Sequence, residues 1–306
     1  MELSRGDRTW IIYRGPDGSR FWLSGMRGQG KQGVELAPGI VGLDRPPEEL
    51  LWLQEARQNG ADLVGSNVDV RTIRAAVNIL GRTPRQQRAA FDGWNRSQDN
   101  ERYGKLAFIN SYSGVKILDV LYGDSPSASI DKDPALRSGL IGYPQTWVCP
   151  NPYFKGYIEE FEWQPSGASA GGWQVGKRKV RHLGTAPRTY PQIYLPGPGT
   201  WRIPMGVRDD EGNLPDYDMY DSTTYVELPE IKADEEVWLD TDPRMETITK
   251  KSASGVETNL WAKMKGQRPR LWLPKSTTED WTLAVKGGSP ARKAKIVVQP
   301  LYNAFN

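Results

Sequence analysis

Four prolines, Pro134, Pro144, Pro150 and Pro152, fall within residues 133–157, near the middle of the 306-residue chain. None can donate a ladder hydrogen bond, and each pushes its predecessor toward extended backbone. A strand therefore fits only between Leu136 and Cys149, at a sheet edge or with a bend at Pro144. Pro150-Asn151-Pro152 then ends any regular element, and Tyr153, Phe154 and Tyr157 give the stiff exit an aromatic anchor. The stretch reads as the last strand of one domain and a rigid hand-over to the next. It divides the chain into 1–152 and 153–306.

A chain of 306 residues is long enough for two ordinary domains. With 32 Gly, 23 Pro, 12 Trp and 13 Tyr, the composition suits short strands, many turns and aromatic cores, not helical bundles. Forty basic and 37 acidic residues give a net charge of +3, too even to imply nucleic acid or a membrane surface as the main partner. The single cysteine, Cys149, excludes an internal disulfide and a cysteine-based zinc site. It alternates with Trp147 and reads as a small buried hydrophobe. The first residues, Met-Glu-Leu-Ser-Arg-Gly-Asp, lack the pattern of a secretory signal, and no apolar run approaches the ~18 residues of a membrane span. The expectation is a protein made and folded in the cytoplasm.

In the first half, β-type runs at 9–13 and 20–23 are joined by Gly-Pro-Asp-Gly-Ser, a hairpin signal. Gly25, Gly28, Gly30 and Gly33 follow among basic residues but lack the Gly-Lys-Ser/Thr ending of a phosphate-binding loop. They read as a loop before a strand at Val34. Residues 46–60 are ambiguous: Asp44, the prolines and Glu-Glu-Leu-Leu-Trp-Leu-Gln-Glu-Ala-Arg suit a capped helix by propensity. Over 68–79, Arg71, Ile73, Ala75, Val77 and Ile79 share one face of a strand. Thr83-Pro84-Arg85-Gln86 is a helix start, predicting a helix over 84–96 with Ala90, Phe91 and Trp94 on its buried face. Strands at 106–109 and 115–121 complete an antiparallel sheet with one helix packed on it, an α+β arrangement.

The second half reads as all β. Runs at 158–163, 177–183, 192–195, 200–204, 223–228, 236–240, 246–250, 270–273, 281–285 and 295–298 are separated by Gly, Pro or Asp turns. Many short strands at this spacing predict a β-sandwich. The fold class is therefore mainly β with a small α content. The small-residue stretch 166–172 is the single low-complexity loop.

The residues that could carry chemistry have plainer readings beside them. His182, the only histidine, lies in Lys-Arg-Lys-Val-Arg-His, where the flanking charges suggest a surface residue, and no Gly-x-Ser-x-Gly elbow accompanies it. Acidic groups at Asp209-Asp210-Glu211, at Asp216, Asp218 and Asp221, and at Asp240 and Asp242 could supply a glycosidase pair, and the first cluster also faintly suggests a calcium loop. Gly212 is misplaced for that loop, and aspartates beside Gly, Asn and Pro more often make turns. Trp10, Trp22, Trp147, Trp163, Trp201, Trp238, Trp272 and Trp281 lie in predicted strands and read as core. Trp173 and Trp261 lie in or near loops, open to a partner or a sugar, with core packing or subunit contact the alternative. No catalytic, cofactor-binding or metal-binding set emerges.

Three stretches carry a resemblance. Asp133-Pro-Ala-Leu-Arg, a strand, then Pro150-Asn-Pro-Tyr-Phe-Lys-Gly resembles the middle of phage distal tail proteins, minor tail proteins of long non-contractile tails, especially those of actinobacterial phages. Tyr190-Pro-Gln-Ile-Tyr-Leu-Pro-Gly-Pro and Val237-Trp-Leu-Asp-Thr-Asp-Pro-Arg resemble later strands of that family, in the family's order. The resemblance implies a ring, usually of six copies, at the far end of the tail tube. It assigns the ring to 1–152 and a galectin-like or related β-sandwich to 153–306, and puts an extended arm at 46–60. The implied partners are copies of the chain, the tube protein, the tail-tip hub, the tape-measure protein and receptor-binding or fibre proteins; the implied place is the virion tail tip. No enzyme activity and no cofactor are implied. A soluble carbohydrate-binding protein or glycosidase is the alternative from a different class, and a tube-forming major tail protein is a third reading.

Overall fold

The computed structural model describes residues 8–25, 28–57, 59–123, 133–134, 139–166, 172–209, 213–216, 218, 221–245, 247–264 and 266–305. The chain forms two units, Met1–Gly156 with Tyr302–Asn306, and Tyr157–Leu301. The mainly β class with one α-helix is as the sequence indicates.

The first unit contains β1 (Trp10–Arg14), β2 (Arg20–Ser24), β3 (Val34–Leu36), β4 (Glu48–Leu53), β5 (Asp62–Val68), β6 (Arg71–Leu80), α1 (Pro84–Arg96), β7 (Gly104–Asn110), β8 (Gly114–Tyr122), β9 (Gly139–Cys149) and β10 (Phe154–Lys155). Its main sheet runs β2-β1-β7-β8-β9-β6-β3. The β1–β2 turn is held by Asp17, whose Oδ1 accepts from the Ser19 N–H at 3.0 Å, while Gly18 takes a positive φ of 86°. Pro144 sits opposite Ala76 of β6, whereas β9 meets β8 only at Val148 and Trp147. The proline thus falls where the strand is an edge, and its missing N–H leaves no gap in a ladder.

Helix α1 begins where its cap dictates: the Thr83 hydroxyl accepts from the Gln86 N–H at 3.3 Å, with Pro84 in the first turn. Trp94 is fully buried, and Ala90 and Phe91 pack against the core. The Trp94 ring meets Phe21 at 5.0 Å and Tyr13 at 5.3 Å, both edge-on. Tyr13 donates to the Ser97 carbonyl at 2.6 Å, and Trp147 donates to Gln98 at 3.1 Å. These bonds fix the helix end over β1 and β9. Burial of these rings is the main stabilising term; truncating Trp94 to alanine costs about 3–5 kcal/mol.

Three first-half expectations are corrected or resolved. Residues 48–53 form a strand, not a helix. They pair with β5 in a hairpin, from Leu53 opposite Asp62 to Glu48 opposite Val68, and that pairing overrides the helix propensity of Glu-Glu-Leu-Leu. The strand expected over 68–79 is β6 but starts at Arg71: Val68 ends β5, and the Asp69 N–H turns to the Pro47 carbonyl at 3.0 Å and closes the base of the β4–β5 hairpin. Trp10, expected in the core, is 40% exposed, since Ile11 and Tyr13 take the inward face of β1.

The second unit contains β11 (Glu159–Trp163), β12 (Trp173–His182), β13 (Arg188–Thr189), β14 (Gln192–Pro196), β15 (Thr200–Pro204), β16 (Tyr225–Glu227), β17 (Glu236–Asp240), β18 (Ile248–Lys251), β19 (Glu257–Asn259), β20 (Leu273–Pro274), β21 (Thr277–Lys286) and β22 (Ala294–Val298). A six-stranded sheet, β11-β22-β14-β17-β18-β19, and a four-stranded sheet, β12-β21-β15-β16, share one core. Ile193, Leu195, Val237, Leu239 and Ile296 from the first meet Val180, Trp201, Ile203, Trp281 and Leu283 from the second. This is sandwich architecture. The strand expected at 270–273 is corrected: Arg270 bonds the Met205 carbonyl outside any ladder, and β20 starts only at Leu273. The chain then re-enters the first unit through β23 (Leu301–Tyr302), which pairs with β10.

Candidate assembly surface

Among the described residues, strands β4 and β5 pair only with each other, from Glu48 opposite Val68 to Leu53 opposite Asp62. Every residue of β4 is exposed. Trp52 is 58% and Val64 66% exposed, and Leu50, Leu51, Leu53 and Leu63 join them. Successive strand residues point to opposite faces, so Leu50 to Leu53 puts apolar groups on both sides of the ribbon. A lone two-stranded ribbon is marginal in water, and a contiguous apolar patch of this kind marks a surface that buries against another molecule. Its unpaired edges are open to strand addition.

The base of the ribbon is held by Arg71, the first residue of β6, which is almost fully buried. Its Nη1 donates to the carbonyls of Gly42 at 2.7 Å and Asp44 at 2.6 Å. Its Nε donates to Pro152 and its Nη2 to Asn303, each at 2.6 Å. The guanidinium also stacks 4.8 Å from the Phe154 ring centroid. Burial lowers the Arg71 pKa, opposed by Cys149, Asp44 and Tyr153. One cation thus gathers four backbone carbonyls from three distant stretches. The sequence places Arg71 in line with Ile73 and Val77; that arginine on an apolar face was the available signal.

The C-terminal residues are fastened to the same unit. Phe305 packs 5.5 Å from Phe108, and its carbonyl accepts from Ser113 Oγ at 3.1 Å. Lys116, buried under the Tyr302 ring at 3.0 Å, has its pKa lowered to about 8 by burial. Burial likewise raises the Cys149 thiol to about 12, leaving it an inert core residue.

The remaining candidates are placed as follows. His182 is fully buried, not on the surface: strand alternation puts it on the inward face with Val180 while Arg181 points out. Its Nδ1 bonds the Pro274 carbonyl at 3.0 Å and its Nε2 accepts from the Leu301 N–H at 3.2 Å, so both ring nitrogens are occupied. Burial lowers its pKa, opposed by those backbone bonds. Asp209 accepts from Asn213, Asp221 from Thr223, Asp240 from the Asp242 N–H, and Asp242 from Arg244, all within turns. Asp210, Glu211 and Gly212 lie outside the described residues, as do 135–137 of the Asp-Pro-Ala-Leu-Arg run and 167–171 of the small-residue loop. Among the described residues, no three His, Cys, Asp or Glu side chains cluster to hold a metal.

Trp173 is covered by Arg202 at 3.9 Å and Trp261 by Arg268 at 5.3 Å. Trp272 lies outside β20, flanked by Arg188 at 4.5 Å and Arg208 at 4.4 Å. In the glycine loop, the N–H groups of Gly30, Lys31 and Gly33 bond carbonyls of Trp22, Gly28 and Gly30, so they are turned away from any anion. Trp238, read as core, is 42% exposed on β17, because Val237 and Leu239 take the inward face.

The chain is 24% identical, over 93% of its length and 94% of the relative's, to minor tail protein Gp27 of Mycobacterium phage L5. No family model matches the chain. Among solved structures it is similar to SPP1 Dit (gp 19.1), described as a paradigm of the hub adsorption apparatus in phages infecting Gram-positive hosts. That match has a TM-score of 0.61 and 11% identity over 96% of this chain and 98% of the other. The fold is that of a phage distal tail protein. The chain is also similar to a chain of the phage P2 baseplate in its activated conformation with Ca, with a TM-score of 0.53 and 11% identity over 95% and 98% of the two chains. This fold agrees with the family resemblance drawn from the sequence.

Proposed function

We propose that this protein is a structural subunit of a phage tail tip. Copies of it close into a ring, usually six, that joins the tail tube to the hub. The exposed β4–β5 ribbon is the observation that carries this reading. A ring subunit needs a self-complementary or neighbour-directed surface, and cyclic closure hides it in every copy. A chain similar over nearly its whole length to a minor tail protein supports the same role. Met1–Gly156, which bears the ribbon, forms the ring in this reading. Tyr157–Leu301 offers attachment points for receptor-binding or fibre proteins. The turn-making use of the aspartates and the doubly bonded His182 support a role without catalysis.

Electron microscopy of the purified protein, and of virions labelled with antibody against it, tests the proposal. Rings around a central pore, with label at the tail end opposite the head, are expected. Label on the capsid or along the tube overturns it.

A further inference from the structure

The outward face of the six-stranded sheet in the second unit carries an exposed indole in a ring of fixed polar groups. The register sets Lys295 opposite Tyr194, Tyr194 opposite Trp238, and Trp238 opposite Thr249. Ile193, Leu195, Val237 and Leu239 point into the core, so Gln192, Tyr194, Glu236, Trp238 and Asp240 all point out. The Tyr194 ring supports the Trp238 indole at 5.3 Å and 60°. Glu236 and Asp240 flank Trp238 two residues away on the same strand face, roughly 7 Å on either side. The two carboxylates are therefore roughly 14 Å apart along the strand, the reach of two linked pyranose rings rather than one.

The polar groups are held in place by one another. Tyr194 donates to Glu236 at 2.6 Å, and Gln192 donates to Asp240 at 2.8 Å. A carboxylate has about four acceptor sites and a glutamine amide has two donors and an acceptor, so these bonds leave capacity for a ligand. The cations at the sheet end are paired, Lys295 with Glu160 at 3.2 Å and Lys293 with Glu162 at 2.8 Å. Lys251 stands opposite Glu236 on this face, so its cations alternate with carboxylates and form no uniform patch for a polyanion.

The apolar content also narrows the ligand. Among the described residues, Trp238 is the one large apolar side chain exposed on β14, β17 and β22. A protein partner of standard size buries about 800 Å² on each side around an apolar centre, more than one indole supplies. A sugar ring needs less: its C–H face covers one aromatic ring while its hydroxyls, each donor and acceptor, take the fixed groups at the rim. We propose that this face binds a neutral saccharide, one pyranose stacked on Trp238, with that ring and its linked neighbour hydrogen-bonded to Gln192, Glu236 and Asp240. The site is separate from the ribbon of the first unit and goes beyond the tail-tip role.

Affinity electrophoresis of the full chain in native gels containing dextran, mannan, galactan or arabinogalactan tests it. At least one polysaccharide retards the protein, and retardation persists at 0.5 M salt, where the Debye length is about 4 Å, because no ion pair with the ligand is involved. Trp238→Ala weakens binding by roughly tenfold or more. Trp10→Ala, at an exposed indole of the first unit, leaves it unchanged. Trp238 is half-exposed, so its variant keeps the thermal melt of the parent, and a Trp238→Phe variant retains part of the binding. No retardation by any of the four, retardation abolished by salt, or retardation indifferent to Trp238→Ala overturns the proposal.

Discussion

Arg71 donates from Nη2 to the carbonyl of Asn303, 2.6 Å away and 232 positions later in the chain. The same guanidinium holds Gly42, Asp44 and Pro152, so the base of the exposed ribbon, the end of the central proline stretch and the C-terminal segment meet on one side chain. Removing it leaves four carbonyls without this donor. Arg71→Met is expected to destabilise the protein by about 3–5 kcal/mol, the cost of breaking a buried charged network from one side. Denaturant unfolding read by tryptophan fluorescence measures this; a loss under 1 kcal/mol would show that the knot is not what holds the base.

The C-terminal residues should matter to the first unit more than their number suggests. A chain ending at Leu301 loses Phe305 from Phe108, Tyr302 from Lys116 and the Asn303 carbonyl from Arg71. Its first transition is expected at a lower temperature than in the full chain. A fragment of 157–301, which keeps both sheets of the sandwich and their shared core, is expected to melt cooperatively as a monomer. Calorimetry and sedimentation of both chains decide; a truncated chain that melts like the parent counts against a stabilising role for 302–305.

Association should depend on the ribbon. Replacing Trp52 and Leu63 with serine removes apolar groups that are mostly exposed in the single chain, so the melt changes by less than about 1 kcal/mol. Oligomers, in contrast, are expected to dissociate, because buried aromatic anchors dominate interfaces. Sedimentation velocity across a concentration series reads the shift. Unchanged oligomers in the double variant would place the subunit contact elsewhere.

His182 sets a pH dependence. Its folded pKa is lowered below the ordinary value of about 6.5 by burial. The unfolded chain then binds the proton first as pH falls. The neutral ring's contribution is complete above that value and declines as pH drops below it. Protonation also removes the Nε2 lone pair that accepts from Leu301. Stability measured at pH 7.5 and 5.0 should fall more in the parent than in His182→Gln. Equal slopes would mean that the imidazole does not titrate against folding.

Local chemistry was legible in the sequence. Thr83 and Pro84 start α1 because a cap hydroxyl and a fixed φ act within one turn. Pro150 and Pro152 end β9, and Asp17, Asp221 and Asp242 make turns, because each effect lies within a few bonds of its cause. Alternation likewise marked β6 and the many strands of the second unit. Alternation says that a strand has two faces; it does not say which of them a second sheet will cover. That decision buried His182 and exposed Trp238 and Trp10, against what their neighbours in sequence suggested. Residues 48–53 were open between helix and arm because the partner that makes them a strand begins at Asp62, and pairing at that range leaves no local mark. The return of Tyr302 to Phe305 depends on Arg71, Phe108 and Lys116, residues about 190 or more positions away. Only the folded chain brings those groups together, since desolvation and stacking depend on what surrounds a side chain in space.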